Sequence, residues 1–490
     1  MQLYRFYVID LEEEVIDMRQ EKDLLGPKDI PVEAYWGVHT ARAAENFQIT
    51  GTTISRFPYL IRGLTFVKEA AARANHELGL IDQLKLDAII QACREIRDGA
   101  LHDQFIVDVI QGGAGTSTNM NANEVIANRA LEILGHIKGD YKHLHPNDHV
   151  NLSQSTNDAY PTAINVALIE SIDELAASML VLQDAFERKA REFDGILKVG
   201  RTQLQDAVPM TLGQEFRTFA VMLGEDRSRL IESAALIHEI NLGATAIGTG
   251  LNAPAGYAAL ACKHLVQLTG RPLVTASDLI EATQDPGAFV HLSGVLKRVA
   301  VKLSKTCNDL RLLSSGPRAG IGEINLPPVQ AGSSIMPGKV NPVIPEVVNQ
   351  VAFAVIGNDI TVTMAAEGGQ LQLNAFEPII VKALSESIAQ LSAACRTLAE
   401  RCVDGITANI DIMARRLEES IGIATALNPL IGYYAATEVA REALASGRTV
   451  PQVVLEKGYM SAEQLIEALR PELLANISAP IPPSVAKPAA

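Results

Sequence analysis

Aromatic residues make up only 5% of this 490-residue chain, and Trp36 is its single tryptophan. Alanine and leucine are plentiful instead, a composition that favours helix over sheet. Cysteine is scarce as well. Cys93, Cys262, Cys307, Cys395 and Cys402 show no CxxC spacing and each falls in a helix-like segment, which argues against a disulfide framework, a redox motif or a thiolate zinc site. Reduced, buried thiols are expected. Positive charge is in deficit, with 42 Lys and Arg against 57 Asp and Glu and a net charge of -15. Such a surface disfavours nucleic acid and anionic membranes. It also repels small anions, so a site for one must bring its own cations; Lys339 and Arg201 are candidates. The opening MQLYRFYVIDLEEEVID carries acids where a secretory signal needs an apolar run, and no segment reads as a bilayer span. The expectation is a cytoplasmic protein with no membrane or nucleic-acid partner.

Several familiar chemistries lack their motifs. There is no HExxH and no paired-cysteine site, so His145, Asp148 and His149 in HPNDHVN are assigned to no metal. Gly248-Thr-Gly250 and Gly320-Ile-Gly322 lack the strand-turn-helix setting of a dinucleotide fingerprint.

What is present is the run Gly332-Ser-Ser-Ile-Met-Pro-Gly-Lys-Val-Asn-Pro342. It places two hydroxyls, a lysine and an asparagine amide on one glycine-flanked loop. Gly332 and Gly338 permit close backbone approach and Pro337 stiffens the middle. Asn341-Pro342 reads as a helix start, Asn as cap and Pro as first helical residue. An anion here would meet backbone amides, the Lys339 ammonium and a helix N-terminus. A phosphate-binding P-loop is excluded, because five residues separate the glycines and Val340 stands where Ser or Thr should hold magnesium.

Apolar residues recur at helical spacing through the middle of the chain. Ile164, Leu168, Ile172, Leu175, Met179, Leu182 and Phe186 form one stripe; Phe289, Leu292, Leu296, Val299 and Leu303 a second, continuing to Leu310; Leu384, Ile388, Leu391, Cys395, Leu398 and Cys402 a third. With helical segments near 209–240 and 342–365, five long helices are predicted, and narrow stripes of this kind call for bundle packing with partners beyond one chain. The expected organisation is a mainly helical N-terminal domain over 1–155, a central long-helix bundle over 156–405, a small helical C-terminal domain over 406–478 and a disordered Pro/Ala-rich tail over 479–490.

Three further segments join the loop: QGGAGTSTNMNANEV (Gln111 to Val125), HPNDHVNLSQSTNDAYPT (His145 to Thr162) and GRTQLQDAVPMTLGQE (Gly200 to Glu215). Together, and in this order, they resemble the fumarase/aspartase superfamily, with HTARAAENF (His39 to Phe47) and GQLQLNAFEP (Gly369 to Pro378) extending the match over roughly residues 20 to 475. The resemblance implies an all-α, three-domain fumarase/aspartase-like fold with a central five-helix bundle, and a homotetramer whose active sites are each shared between three subunits. It implies that Ser333 acts as general base in its oxyanion form. Lys339 and Asn341 would grip an α-carboxylate; Thr116, Ser155, Thr156 and Ser334 a β-carboxylate; Asn157, Thr202 and Gln203 the region of an amino group.

The physical demands agree with these residue types. Removing a weakly acidic proton beside a carboxylate needs preorganised donors for the enediolate, and dense Ser, Thr and Asn side chains can supply them. A serine alkoxide likewise needs loop amides and a cation. Fumarases resembling this chain read Thr-His where it reads Thr202-Gln203, so the implied reaction is reversible elimination of ammonia from L-aspartate to fumarate. Fumarate hydration and a catalytically silent homologue are the alternatives. No cofactor is required for that chemistry, and activation by a divalent cation is left open. Lys28, in GPKDIP, stands where Arg is expected among aspartases.

Overall fold

The computed structural model describes residues 17–475; the tail expected over 479–490 lies outside them. Five long helices occur where the apolar periodicity predicts them: Thr156–Glu192, Leu212–Ser233, Gly287–Leu313, Val343–Glu367 and Glu377–Arg401. All three predicted stripes are buried, with Leu168, Leu175, Met179, Leu292, Val299, Leu391 and Leu398 at 0% exposure. The five cysteines are buried and free.

The backbone contacts group the chain into two units. One gathers the described residues up to Asp173 with Glu232–Gly294 and Gly357–Ile388; the other holds Glu174–Ile231, Val295–Ile356 and the described residues from Ala389 onward. The division falls within each of the five long helices. Short helices after Ile410 build a core of their own in the second unit, where Leu417, Ile423, Leu427, Val439, Val450, Val453 and Leu465 are buried together with Val199.

Among the described residues, strand is confined to four two-stranded sheets. Two are hairpins unforeseen from composition: Met18–Asp23 with Gly26–Pro31, and Leu197–Thr202 with Gln205–Thr211. The second carries the GRTQLQDAVPMT motif, so this block sits on a hairpin and not at a helix end. A second difference concerns Val343–Glu367. This helix is long and apolar enough to cross a bilayer, contrary to the expectation that no segment would be, and only a third of its most apolar stretch is buried. Val347, Phe353, Ile360 and Met364 are exposed along it.

Two buried carboxylates are each held by donors, one by neutral groups and one by cations. Glu21 and Glu124 together cap the helix Val38–Asn46, which bears His39: the Glu124 carboxylate accepts from the amides of Gly37, His39 and Thr40 and from the Thr40 hydroxyl, while Glu21 accepts from Val38. Burial raises Glu124 to about 7, even with these donors opposing it. In the second unit Glu323 joins Lys198 at 2.8 Å and Arg201 at 2.7 Å, and Lys198 also meets Glu215. Burial alone would raise the Glu323 carboxyl, but Arg201 and Lys198 bring it below its usual range.

Breaking a buried pair leaves an uncompensated charge and typically costs about 3–5 kcal/mol. Glu323→Ala is therefore expected to lower stability by ~3–5 kcal/mol, read from the urea midpoint at fixed protein concentration. A midpoint equal to wild type would contradict this role.

Candidate active site

In the first unit, Thr116 opens the helix Thr116–Ile133 behind Gly115, whose φ is 86°. A Cβ on Gly115 would lie 2.3 Å from the Tyr160 ring, so this position demands glycine twice over, for space and for conformation. Thr116 is exposed at that helix start, while Thr118 is buried with its amide and hydroxyl both donating to Gln111 Oε1. Thr118 therefore serves the fold, whereas Thr116 is the exposed hydroxyl of this block.

Ser155, Thr156 and Asn157 begin the 37-residue helix Thr156–Glu192 and are each half-buried. The Ser155 hydroxyl accepts from the Asn157 amide at 3.2 Å, and Thr156 Oγ1 accepts from Asn119 Nδ2 at 3.1 Å. In both cases the oxygen is engaged as acceptor and the O–H stays free to donate outward. Asn157 Nδ2 donates to Ala246 O at 2.6 Å, and its own carbonyl accepts from Asn241. Beneath them the buried Asp158 accepts from the amides of Ser155, Gly243 and Thr245, and burial raises it to about 6.

Lys68 ties these segments together and was not singled out from sequence. Its fully buried ammonium donates to Asn119 Oδ1 at 2.7 Å, Asn151 Oδ1 at 2.9 Å and Gln154 Oε1 at 2.9 Å. Nothing in KEAAARAN distinguishes it from a solvated helix lysine.

In the second unit, the loop 332–341 is closed on itself. Gly332 N donates to Lys339 O at 2.8 Å, and Asn341 Nδ2 donates to Gly332 O at 2.5 Å. A Cβ on Gly332 would sit 2.5 Å from Lys339 O, which explains that glycine. The Ser333 oxygen accepts from the amides of Ile335 at 3.2 Å and Met336 at 2.9 Å. Two backbone N–H groups thus converge on the hydroxyl expected to ionise. Ser334 and Lys339 are exposed, and no ion-pair partner of Lys339 occurs among the described residues.

Two sequence expectations are corrected. The helix starts at Val343, so Asn341 is not its cap; one of its N–H groups holds the loop shut and one stays free. Arg201 is not an available cation, since Glu323 engages it. Lys28 is likewise engaged, by Glu45 at 2.6 Å.

Thr202 and Gln203 lie exposed at the tip of the hairpin, joined to the next strand through Gln203 (φ 55°) and Leu204 (φ 63°). A two-residue turn with both φ positive normally takes Asn-Gly; a Gln-Leu pair is strained. Within the second unit, among the described residues, no hydrogen bond joins this tip to the loop 332–341. Of the nine non-glycine residues with positive φ among the described residues, five lie inside the motifs: Ala114, Ser153, Gln203, Leu204 and Leu371. Strain of this kind concentrates at working sites.

His145 and His149 have local structural roles in their turn. His145 Nδ1 accepts from the amides of Asn147 and Asp148, and His149 Nδ1 accepts from the His145 amide, so the imidazoles cap the turn Pro146–Val150.

Replacing Gln203-Leu204 by Asn-Gly should relieve the turn and raise stability by roughly 1–3 kcal/mol, measured as a higher urea midpoint. No gain would mean that the turn is unstrained.

Comparison with known proteins places these motifs in context. Residues 26–357 match a family model described as Lyase, and residues 423–476 match the fumarase C C-terminus. The chain is 59% identical over 474 residues to an aspartate ammonia-lyase of Pseudomonas fluorescens, covering 96% of this chain and 98% of that one. It is 58% identical over 450 residues to the aspartate ammonia-lyase of Escherichia coli K12, covering 92% and 94%. Among solved structures, a fumarate lyase:delta crystallin from Brucella melitensis bound to cobalt superposes with a TM-score of 0.91 at 57% identity, covering 95% of this chain and 100% of that one. A class II fumarase from Schistosoma mansoni superposes with 0.89 at 34% identity, covering 94% and 100%. Matching along nearly its whole length in sequence and fold, the chain belongs to the fumarase/aspartase superfamily of lyases.

Proposed function

We propose that this protein is an aspartate ammonia-lyase, which reversibly eliminates ammonia from L-aspartate to give fumarate. The observation that carries the chemistry is the pair of amides, from Ile335 and Met336, aimed at Ser333 Oγ on a loop that also bears the unpaired Lys339. Near-complete similarity to aspartate ammonia-lyases supports the substrate.

Ser333, as alkoxide, takes a proton from the carbon bearing the β-carboxylate. The electron pair moves onto that carboxylate as an enediolate, then returns to form the double bond as the C–N bond breaks and ammonia departs. Donors aimed at the enediolate oxygens lower this barrier. Thr116, Ser155, Thr156 and Ser334 fill that role, and the first unit already leaves the hydroxyl protons of Ser155 and Thr156 free. Lys339 and the second N–H of Asn341 bind the α-carboxylate. Asn157, Thr202 and Gln203 line the space of the departing nitrogen.

These donors come from separate segments, which fits a cytoplasmic homotetramer whose sites are each assembled from three subunits. The exposed apolar residues of Val343–Glu367 are a surface such an assembly would cover. The reaction as written requires no cofactor, and activation by a divalent cation stays open; a Brucella melitensis relative is described as bound to cobalt.

Ser333→Ala should reduce kcat by at least about 10²-fold, since a proton-transfer residue typically contributes 10²–10⁴, with the circular dichroism spectrum unchanged. Retention of a tenth of wild-type kcat would exclude Ser333 as base.

Gln203 cannot accept a proton as histidine can. Initial fumarate absorbance from L-aspartate should therefore far exceed that from L-malate under identical conditions. A malate rate equal to or above the aspartate rate would make the protein a fumarate hydratase.

A further inference from the structure

Between the helix Thr116–Ile133 and the turn Pro146–Val150 the chain reads His136-Ile-Lys-Gly-Asp140-Tyr-Lys-His143. Among the described residues, His136, Asp140 and His143 are the one group of three or more His, Cys, Asp or Glu side chains whose ligand atoms all lie within 4.8 Å of one another. We propose that these three side chains form a binding site for a late first-row divalent metal ion of the zinc, nickel or copper class.

The backbone prepares the cluster. His136 N donates to Leu131 O at 2.9 Å, Asp140 N to Ile137 O at 3.2 Å and His143 N to Asp140 O at 3.1 Å, folding the three residues onto one side of consecutive turns. Gly139, at φ 83°, allows the reversal and donates its amide to Asn128 Oδ1 at 2.8 Å. The intervening residues anchor the segment on both sides. Lys138 lies over the Tyr35 ring and donates to Glu33 O, while the Tyr141 hydroxyl donates to Glu21. The ligands are thus carried on a fixed frame, and little backbone ordering is left for a metal to induce.

The side chains set the class of ion. Two imidazoles and one carboxylate suit borderline cations, whereas calcium and magnesium require shells of oxygen. All three residues are half-buried, His143 with 41% and Asp140 with 22% of the side chain exposed, so solvent can deliver the ion and fill its open positions. Bonds of about 2.0–2.1 Å in a tetrahedral site put ligand atoms ~3.4 Å apart, so the cluster must tighten by at most about 1.5 Å. His143 Nε2 already stands 3.6 Å from Asp140 Oδ2. The imidazoles of His136 and His143 are stacked, with centroids 3.8 Å apart and planes at 6°. Binding must therefore splay them, and the more exposed His143 is the ring able to swing. Lys142, 72% exposed and 3.3 Å from Asp140 Oδ1, is displaced without burial cost.

The site is built from first-unit residues alone, whereas the Ser333 loop belongs to the second unit, and it stands independently of the substrate proposed above. Its test is titration of chelator-stripped full-length protein with Zn2+ by calorimetry, and with Cu2+ by electron paramagnetic resonance. Wild type should bind one Zn2+ per chain, and its Cu2+ spectrum should show coupling to two imidazole nitrogens. His143→Ala and Asp140→Asn, both surface-accessible changes, should each weaken Zn2+ at least about tenfold, since even outer-shell partners of a metal ligand contribute 10–100-fold. His143→Ala should also reduce the copper coupling to one nitrogen, with thermal unfolding in chelator unchanged. Unaltered affinity and copper spectrum in both variants would assign the ion to an adventitious site elsewhere. Absence of Zn2+ binding to wild type, or preference for Mg2+, would overturn the proposal outright.

Discussion

One buried ammonium governs the arrangement of the donor segments in the first unit. Lys68 offers three N–H groups to three amide oxygens, from Asn119 in one helix and from Asn151 and Gln154 in the turn leading to the next. Asn119 then donates to Thr156, so the helix start at Thr116 and the one at Thr156 are referred to the same nitrogen. Burial pulls Lys68 down to about 7, and the Asp158 carboxylate pushes it back up. A neutral amine has only two N–H groups for these three oxygens and would orphan one. Leaving a buried acceptor unpaired costs about 1–3 kcal/mol, so the amide cage favours the charged form.

The parts of this molecule that follow local rules were legible in the sequence. The apolar stripes gave three of the five long helices because burial at helical spacing needs no distant information, and the stripe residues Ile164, Leu168, Ile172, Leu175, Met179, Leu182 and Phe186 are all buried. The GSSIMPGKVNP loop was legible as chemistry because glycine, serine, lysine and asparagine are rarely combined without a ligand. What could not be read were commitments between distant residues. Arg201 looked like a free cation until Glu323, more than a hundred positions on, was seen to take it. Asn341 looked like a cap until its amide was found closing the loop at Gly332. Lys68 and Glu124 gave no signal, since each is an ordinary charged helix residue whose partners are set only by folding.

The hairpin at Leu197–Thr202 and Gln205–Thr211 shows a further limit. Its turn lacks the Asn-Gly or Asp-Gly that would mark it, and a Gln-Leu tip is chosen against local preference. Placing Gln203 there is therefore a constraint imposed from outside the turn. The same holds at Ala114 and Ser153, each two residues before a donor, Thr116 or Ser155. Positive φ at these points aims the following helix start, and the surrounding hydrogen bonds hold a backbone that the residues would not adopt alone.

The hydroxyls also divide into two chemical kinds by what they accept. Ser155 and Thr156 each accept a single N–H, which orients the oxygen while leaving its proton to donate to an anion. Ser333 accepts two backbone N–H groups, an arrangement that favours an oxygen carrying negative charge over one that donates. Backbone amides cannot be protonated or withdrawn, so they stabilise the alkoxide without competing for its proton. A loop suits this purpose better than a helix, because the first-turn amides of a helix point along its axis, whereas the turn at Ser333–Met336 folds two amides back onto one side chain. The donors that recognise an anion thus sit at helix starts, and the group that must give up its proton sits where the chain can wrap around it.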